Sequence, residues 1–403
     1  MKALIVLIFA TWFAAPDWPA FRGSGDSVAQ VKNVPLNWAD DQTIAWQVPL
    51  GGYGQSSPVV IGKRIFVTGS KGTNKETLLV SCHDRTTGKQ LWQHELAAAT
   101  TVAVSDYVSR AAPTPIADDQ RVYAFFESGD LIALDHTGKV QWQRNLVKEF
   151  GAYQGNHGIG ASPAATNDTL FVLADHEGPS YLLAIDKATG KDRWKNDRPS
   201  KVSWSSPIVM PSGPATPETV VISSNGSVEG FDAKSGDLLW SHKGVEGNTV
   251  ASASYNEKLI VVGSSDKNEC IALKRGGKGE LSDDDVAWRL QDVTSSFSSP
   301  LALQSQVYYV NKAGVAFCVD AESGKTLWTQ RLPGSCWVSP VGIEDRIYFF
   351  GKDGVTTVVD TAKTFNRLAE NRLTIEGRVY GVAVVTGAII LRTGEKLICV
   401  GNP

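Results

Sequence analysis

The chain has 403 residues, 39 basic and 42 acidic side chains and a formal net charge of −3. Because the two signs of charge are interspersed along the chain, no basic surface of the kind that follows a phosphate backbone is predicted, which argues against a nucleic acid partner. The 38 glycines and 12 tryptophans, beside only 2 methionines, favour a turn-rich all-β protein and exclude a helical bundle.

The N-terminal segment has the pattern of a secretory signal. Residues 1–15 combine Lys2 with an apolar stretch that is too short to span a bilayer as a helix. Bulky Trp12 or Phe13 falls where a cleavage site prefers a small residue, so an uncleaved anchor or a buried N-terminal strand stays open as an alternative. We expect a periplasmic or otherwise extracytoplasmic protein, with residues 16–43 as an N-terminal extension and no transmembrane span once the signal is removed.

A four-part pattern recurs through the rest of the chain. Each unit opens with Ser-Pro or a close relative before an apolar run, continues through two further β-like runs, and in most units ends in a fourth run that carries a tryptophan. The openings lie 40 to 57 residues apart, and stacked four-stranded units of this period usually pack radially. We therefore predict an all-β, eight-bladed β-propeller of four-stranded antiparallel blades over residues 44–403. The eight openings are Ser57-Pro58, Thr114-Pro115, Ser162-Pro163, Ser206-Pro207, Ser252-Ala253, Ser299-Pro300, Ser339-Pro340 and Gly381-Val382.

The two ends of the repeat region complement each other. The last unit, residues 379–401, contains three β-like runs and stops before any tryptophan run. A spare run with Trp46, TIAWQVPL at residues 43–50, stands ahead of the first unit. We predict that this N-terminal strand completes the last blade and closes the ring, which would remove the open sheet edge and favour a monomer.

Most units place an acid, a Thr-Gly or Ser-Gly turn and a tryptophan between the third and fourth runs, as in AIDKATGKDRW at residues 184–194. We predict that each indole wedges between neighbouring blades and buries about 150–250 Å². The glycine permits a tight turn, and the acid accepts local backbone N–H groups. Blade 7 places Leu368 where the tryptophan is expected, so its contact with blade 8 is predicted to be the weakest. The predicted docking tryptophans are Trp46, Trp92, Trp142, Trp194, Trp240, Trp288 and Trp328.

Three of the five cysteines fall at one position of the repeat. Cys82, Cys318 and Cys399 occupy the place filled by Ala133 and Ala184 in other units, so we expect them to act as small buried apolar residues. Equivalent positions in different blades lie farther apart than a disulfide allows. No bridge is predicted among these three cysteines.

The AIDKATGKDRW motif resembles the tryptophan-docking motif of pyrroloquinoline-quinone-type repeat propellers. This family includes the quinoprotein alcohol dehydrogenases and the BamB-like proteins of outer-membrane assembly, and the resemblance covers about residues 44–401. The resemblance implies an eight-bladed fold. The start DWPAFRGSG, residues 17–25, is similar to the opening of a group of exported bacterial proteins with quinone-like propellers.

The resemblance implies two functions of different classes. We favour a BamB-like, non-catalytic scaffold that binds a protein partner or a small-molecule ligand; the alternative is a pyrroloquinoline-quinone-dependent dehydrogenase. The dehydrogenases resembled here carry an adjacent cysteine pair, an Asp base, and Glu, Asn and Asp ligands for calcium. The sequence has no Cys-Cys pair and no CxxCH haem signature, and its first cysteine, Cys82, lies too far along the chain for a lipid anchor. We predict no catalytic residue, no metal site and no cofactor, and interpret Asp283–Asp285 as a solvated turn.

A candidate binding site follows from the position of the inner strands. In a propeller the first strand of each blade lines the axis, so residues before each Ser-Pro opening should surround one mouth of the axis. Aromatic and cationic residues are frequent there, and we expect this mouth to bind a small anionic or aromatic ligand or a peptide segment. The candidate ligand-binding residues are Tyr53, Gln55, Arg110, His157, Trp204, Phe297, Trp337 and Arg378.

Five of these candidates have a structural alternative. For Trp204 and Trp337 we favour the interpretation that they fill the axis as core residues, since buried aromatic side chains usually belong to a core. The alternative for His157 is a loop residue that forms hydrogen bonds. Arg110 and Arg378 are interpreted as salt-bridge partners at the rim.

Overall fold

The structure is a computed structural model that describes residues 18–40, 43–101, 110–155, 157–213 and 216–403. Its strands form eight sheets, each built on four antiparallel strands. The inner strands of neighbouring blades contact one another, and blade 8 returns to contact blade 1. The predicted eight-bladed propeller is confirmed. The predicted signal, residues 1–15, lies outside the described residues.

Blades 1 to 4 follow one another in chain order, and within each blade the strands run in sequence order from the axis outward. Blade 4 gains a fifth strand, Gly279–Glu280, on its outer edge. The strands are Val59–Ile61, Arg64–Lys71, Thr77–Asp84 and Gln90–Ala97 in blade 1; Ile116–Ala117, Arg121–Phe125, Asp130–Asp135 and Val140–Asn145 in blade 2; Ala164–Ala165, Thr169–Ala174, Ser180–Asp186 and Asp192–Arg198 in blade 3; and Ile208–Met210, Thr219–Ser224, Gly226–Asp232 and Leu238–Val245 in blade 4.

Blades 5 to 7 repeat this order, and blade 8 takes its outer strand from the beginning of the repeat region. Blade 7 also carries the N-terminal strand Val28–Ala29 beside its inner strand. An α-helix at Leu146–Phe150 and a 3₁₀ helix at Asp283–Asp285 interrupt the strands, the latter in the predicted acidic turn. The strands are Ser254–Tyr255, Leu259–Val262, Ile271–Lys274 and Val286–Arg289 in blade 5; Leu301–Leu303, Gln306–Val310, Val315–Asp320 and Thr326–Arg331 in blade 6; Val341–Ile343, Arg346–Phe350, Val355–Asp360 and Arg367–Arg372 in blade 7; and Gly381–Val385, Ala388–Arg392, Lys396–Gly401 and Ile44–Pro49 in blade 8.

The beginning of the repeat region closes the ring. Strand Ile44–Pro49 pairs antiparallel with Lys396–Gly401 and places Trp46 opposite Cys399. The predicted closure by an N-terminal strand is therefore confirmed.

The Ser-Pro openings form a hydrogen-bonded ring around the axis, here called the hydroxyl ring. In each of the first six blades, the backbone N–H of the Ser or Thr donates to the hydroxyl oxygen of the equivalent residue in the next blade, at 2.8 to 3.0 Å. The ring ends at blade 8, where Gly381 replaces the hydroxyl residue. A Cβ at Gly381 would lie 2.3 Å from Ser57 Oγ, so only glycine fits there. The repeated serine thus links neighbouring inner strands through groups that are buried.

The docking tryptophans join neighbouring blades through the Thr-Gly turn. Trp142 Nε1 donates to the carbonyl of Lys187 in blade 3 at 3.0 Å, and a Cβ at Gly190 in the same turn would lie 2.7 Å from the Trp142 ring. The glycine is therefore required both for its φ of 73° and for the close approach of the indole. The same bond to the residue after the turn acid is made by Trp46, Trp92, Trp194 and Trp288.

The acid of each turn accepts local N–H groups, as predicted. Asp186 Oδ1 accepts from the backbone N–H and the hydroxyl of Thr189, both at 2.8 Å. Asp84, Asp232 and Asp320 accept the corresponding backbone N–H groups at 2.9 Å. These bonds fix the turn on which the indole of the preceding blade packs.

Blade 7 differs from the sequence-based expectation. Its ladder places Ala369, not Leu368, in the tryptophan register opposite Val358. Leu368 is 38% exposed. The missing indole comes from the N-terminal extension, because Trp38 is buried and stacks on Tyr348 with ring centroids 6.3 Å apart. Tyr348 is the equivalent of Tyr123, whose partner ring is that of a docking tryptophan, Trp142.

The rest of the extension crosses one end of the axis. Trp18 and Val60 of blade 1 exchange two backbone hydrogen bonds, at 2.9 and 2.8 Å. Arg22 is buried and donates to the carbonyls of Ala253 and Pro300, in blades 5 and 6, at 2.8 and 2.9 Å. Residues 18–29, here called the N-terminal plug, therefore tie together blades on opposite sides of the ring.

All five cysteines are buried free thiols. Cys82 and Cys318 lie opposite Trp92 and Trp328 in the ladders, as Cys399 lies opposite Trp46. The three cysteines occupy one repeat position, as predicted, and serve there as small side chains beneath an indole.

Candidate functional site

The candidate mouth lies at the end of the axis opposite the N-terminal plug. All inner strands run in the same direction, and the plug contacts residues that follow the Ser-Pro ring, such as Val60, whereas Gln55 precedes it. At about 3.3 Å per residue, the five steps from Gln55 to Val60 span roughly 16 Å. The mouth and the plug are therefore separated by the length of the inner strands.

Six of the eight predicted site residues, joined by Tyr380 and Lys352, form one continuous group at the mouth. We call the seven with aromatic or cationic side chains the mouth arc: Tyr53, Arg110, Phe297, Trp337, Lys352, Arg378 and Tyr380. Gln55 supports the arc from below, because its side-chain oxygen accepts from the backbone N–H of Arg110 at 3.0 Å and its own N–H donates to the carbonyl of Arg110 at 3.0 Å.

One half of the mouth arc is centred on two tyrosines. The hydroxyls of Tyr53 and Tyr380 are 2.6 Å apart, and their rings meet edge to face with centroids 6.1 Å apart. The guanidinium of Arg110 lies 4.8 Å from the centroid of the Tyr53 ring. Burial and the hydrogen bond to Tyr380 raise the pKa of Tyr53, so its hydroxyl stays protonated at neutral pH.

The other half is centred on Trp337. Its ring centroid lies 6.2 Å from that of Tyr380 and 5.3 Å from that of Phe297. The Arg378 guanidinium and the Lys352 ammonium lie 4.8 and 5.4 Å from the Trp337 ring. Each cation over a ring of this kind contributes about 0.5–1 kcal/mol at an exposed site.

The structure describes ring contacts, not the expected salt bridges, for Arg110 and Arg378. Among the described residues, neither of them, nor Lys352, has a carboxylate oxygen within ion-pair distance. Their charges face aromatic rings instead, which attract a cation without neutralising it. The mouth arc therefore places three cationic side chains beside aromatic rings.

A fourth positive charge lies beneath the arc. Arg392 of blade 8 is fully buried and bonds to Ser56 and to the carbonyl of Thr68, both in blade 1. Burial lowers the pKa of Arg392 to about 9. This residue bridges blades 8 and 1 at the place where the hydroxyl ring is interrupted.

The remaining two predicted residues lie apart from the arc. The ring of His157 meets that of Trp204 with centroids 5.6 Å apart, and Trp204 Nε1 donates to the carbonyl of Gly158 at 2.8 Å. Together with His176 they line a cavity of about 250 Å³. Trp204 and Trp337 are both half-buried.

Sequence reasoning missed two members of the arc. Tyr380 stands one position before Gly381, whereas the prediction examined the second position before each opening, which is Val379 in blade 8. Lys352 lies in the turn between the second and third strands of blade 7. Because strands alternate in direction, all turns of that kind lie at the mouth end, and this rule could have found Lys352.

Two further features of the described chain bear on function. Within residues 18–403, apart from the short gaps named above, no group of three or more His, Cys, Asp or Glu side chains is arranged to hold a metal ion. The same residues include no helix long and apolar enough to cross a membrane.

Comparison with known proteins identifies the family. A family model described as outer membrane protein assembly factor BamB matches residues 27–156, 148–282 and 277–368. The chain belongs to this family. The BamB of Yersinia pestis is 21% identical over 313 residues, which cover 73% of each chain. The BamB of Moranella endobia is 22% identical over 287 residues, covering 69% of this chain and 67% of that BamB.

Solved structures share the propeller fold. The crystal structure of BamB from Moraxella catarrhalis matches with a TM-score of 0.64 at 15% identity, covering 89% of this chain and 97% of that BamB. The quinohemoprotein alcohol dehydrogenase of Comamonas testosteroni matches with a TM-score of 0.67 at 14% identity, covering 97% of this chain and 81% of that enzyme. The predicted resemblance to BamB-like and quinoprotein propellers is confirmed at the level of fold.

Proposed function

We propose that this chain is a non-catalytic scaffold, located outside the cytoplasm, that binds a protein partner through the mouth arc. Its relatives in the BamB family are named outer membrane protein assembly factors, which supports a binding function. The observation that carries the proposal is the arrangement of three cations on partly exposed aromatic rings, with no carboxylate paired to them among the described residues. Aromatic and arginine side chains are enriched in protein interfaces, where they supply most of the binding energy.

The rigidity of the fold beneath the mouth supports this function. Buried groups of the hydroxyl ring link the inner strands, and docking indoles such as Trp142 join the outer parts of neighbouring blades. A partner that binds the mouth arc meets side chains whose backbone is already ordered, so little conformational entropy is lost on binding.

Site-specific photo-crosslinking tests this proposal. A photoreactive phenylalanine analogue at Phe297, which is 41% exposed, should yield a discrete protein adduct in cells that make the full chain. The same analogue at Leu91, 49% exposed on the outer strand of blade 1, is the matched control and should yield none. Substituting Arg110→Gln and Arg378→Gln together should reduce the Phe297 adduct. Equal adducts at both positions, or none at Phe297, would contradict the proposal.

The residues at the mouth do not fit the quinoprotein dehydrogenases that the sequence resembles. Cys336 precedes Trp337, but it is a single buried thiol, and burial raises its pKa to about 12. The adjacent cysteine pair and the carboxylate–amide set of those enzymes have no counterpart in the described mouth. We propose that the chain does not catalyse quinone-dependent oxidation. Dye reduction with pyrroloquinoline quinone, calcium and alcohols should give no turnover, and measurable turnover would overturn this conclusion.

The cavity beside Trp204 supports a second candidate function, the binding of a small molecule. Its volume of about 250 Å³ and its two aromatic rings suit a compact ligand. A ligand bound there should raise the unfolding temperature of the native chain but not that of Trp204→Ala. Equal shifts in both proteins, or no shift with any compound of a screening set, would argue against this function.

A further inference from the structure

We propose that the mouth arc recognises an extended acidic segment of its partner, in which carboxylates alternate with apolar side chains. This inference rests on the proposed function and adds the chemistry of the partner. It follows from three properties of the arc: the placement of its cations beside a run of rings, its exposed apolar surface, and the way its cations are held.

The cations flank a connected run of aromatic rings. From Arg110 through Tyr53, Tyr380 and Trp337 to Arg378, successive centres are 4.8, 6.1, 6.2 and 4.8 Å apart. Both guanidiniums also act electrostatically on the Tyr53 hydroxyl, so they surround one continuous surface. An extended peptide advances about 3.3 Å per residue, so a segment of several residues could contact the three rings and the cations beside them.

The arc offers apolar surface between the charges. Phe297 is 41% exposed and packs on Trp337, which is half-buried. Exposed aromatic surface beside cations that pair with no carboxylate of the described residues suits a ligand that brings both apolar groups and carboxylates. A fully hydrophilic polyanion would leave Phe297 in water.

The cations are held in place without an ion pair to any carboxylate in the described part of the chain. The backbone of Arg110 is fixed by two hydrogen bonds to Gln55, and Lys352 N–H donates to the carbonyl of Ser335 at 2.8 Å. The adjacent carboxylate, Asp353, packs against Gly334 and Gly351. A carboxylate from the partner could thus pair with Arg110, Lys352 or Arg378 without displacing an internal ion pair.

Fluorescence anisotropy with defined peptides tests the inference. The probe is a fluorescein-labelled peptide made of three Asp-Phe-Glu-Pro repeats, and the matched peptide has Asn and Gln in place of the acids. The full chain should bind the acidic peptide at least ten-fold more tightly than the amide peptide, and added salt should weaken this binding. Equal affinity for the two peptides would overturn the inference.

Matched variants locate the peptide-binding site. Arg110→Gln combined with Arg378→Gln should weaken binding of the acidic peptide at least ten-fold, and Phe297→Ser should weaken this binding several-fold. Arg367→Gln removes an exposed arginine of blade 7 that pairs with Glu370, away from the arc, and should leave the affinity unchanged. Equal losses in Arg367→Gln, or binding of anionic vesicles without binding of the peptide, would also overturn the inference. If the peptide fails while Phe297 still crosslinks one partner, the proposed function stands and only the acidic segment is wrong.

Discussion

The two ends of the propeller axis use arginine in opposite ways. At the plug end, Arg22 is buried, bonds to Ala253 and Pro300 in two blades, and has its pKa lowered to about 10 by burial. At the mouth end, Arg378 is exposed, lies over the face of Trp337 and acts electrostatically on the Tyr53 hydroxyl. The same residue type thus stabilises the fold at one end and is available to a partner at the other.

The difference extends to the surrounding surface. Beside the plug lies a cleft of about 740 Å³ whose lining includes the carboxylates of Asp118, Asp168 and Glu218. Two of these are neutralised within the fold, because Lys187 pairs with Asp118 and Arg193 pairs with Asp168. The plug end therefore presents carboxylates of which two are paired. The mouth arc presents cations over aromatic rings, although its end of the propeller also contains the ion pairs of Lys75 with Glu127 and of Lys396 with Glu376.

Removing Trp38 should have the largest effect on stability. Trp38→Ala deletes a buried indole from the contact between blades 7 and 8, and such a change costs about 3–5 kcal/mol. Chemical denaturation should show this loss, and hydrogen exchange should show faster opening of strand Arg367–Arg372. Trp38→Phe should recover part of the loss. A change below about 1 kcal/mol would mean that Trp38 does not replace a docking tryptophan.

Breaking one link of the hydroxyl ring should have an intermediate effect. Ser162→Ala leaves the buried backbone N–H of Thr114 without its acceptor, which costs about 1–3 kcal/mol. Ser265→Ala, at an exposed serine of blade 5, is the control and should change the free energy of unfolding by less than about 0.5 kcal/mol. Equal effects of the two substitutions would show that the ring does not stabilise the inner strands.

The turn acids should give a small dependence of stability on pH. Hydrogen bonds from Arg193 and Thr189 lower the pKa of Asp186 to about 2. A carboxyl whose pKa is lowered by folding stabilises the native state above its ordinary pKa and loses this contribution as pH falls towards 2. Because the site is solvent-screened, Asp186→Asn should remove less than about 1 kcal/mol at pH 7 and progressively less as pH falls through 2. Unfolding curves of the native chain and of Asp186→Asn between pH 7 and pH 2 check this. A loss of stability that stays the same across this range would contradict the account.

The sequence predicted the fold because every blade repeats the same contacts. The Ser-Pro openings, the turn acids and the docking tryptophans each mark a bond that recurs between neighbours. The role of Trp38 could not be predicted in this way, because it lies outside the repeats and acts on Tyr348, more than 300 positions later in the chain.

The mouth was predicted in part. Repeat alignment placed Tyr53, Trp337 and Phe297 at one end of the axis, since they precede inner strands. It did not predict that Arg110 and Arg378 lie over rings rather than beside carboxylates, because the partners of a surface charge depend on loops whose course the sequence does not specify. His157 and Trp204 precede inner strands as well, yet they form a separate cavity.

The most direct test of the division between the two ends is a matched pair of variants, Arg22→Gln and Arg378→Gln. Each should be measured for its free energy of unfolding and, at a temperature where both are folded, for affinity towards the acidic peptide. The account predicts that Arg22→Gln lowers stability with unchanged affinity, and that Arg378→Gln lowers affinity with stability within about 0.5 kcal/mol of the native chain. The opposite assignment, or the loss of both properties in both variants, would contradict it.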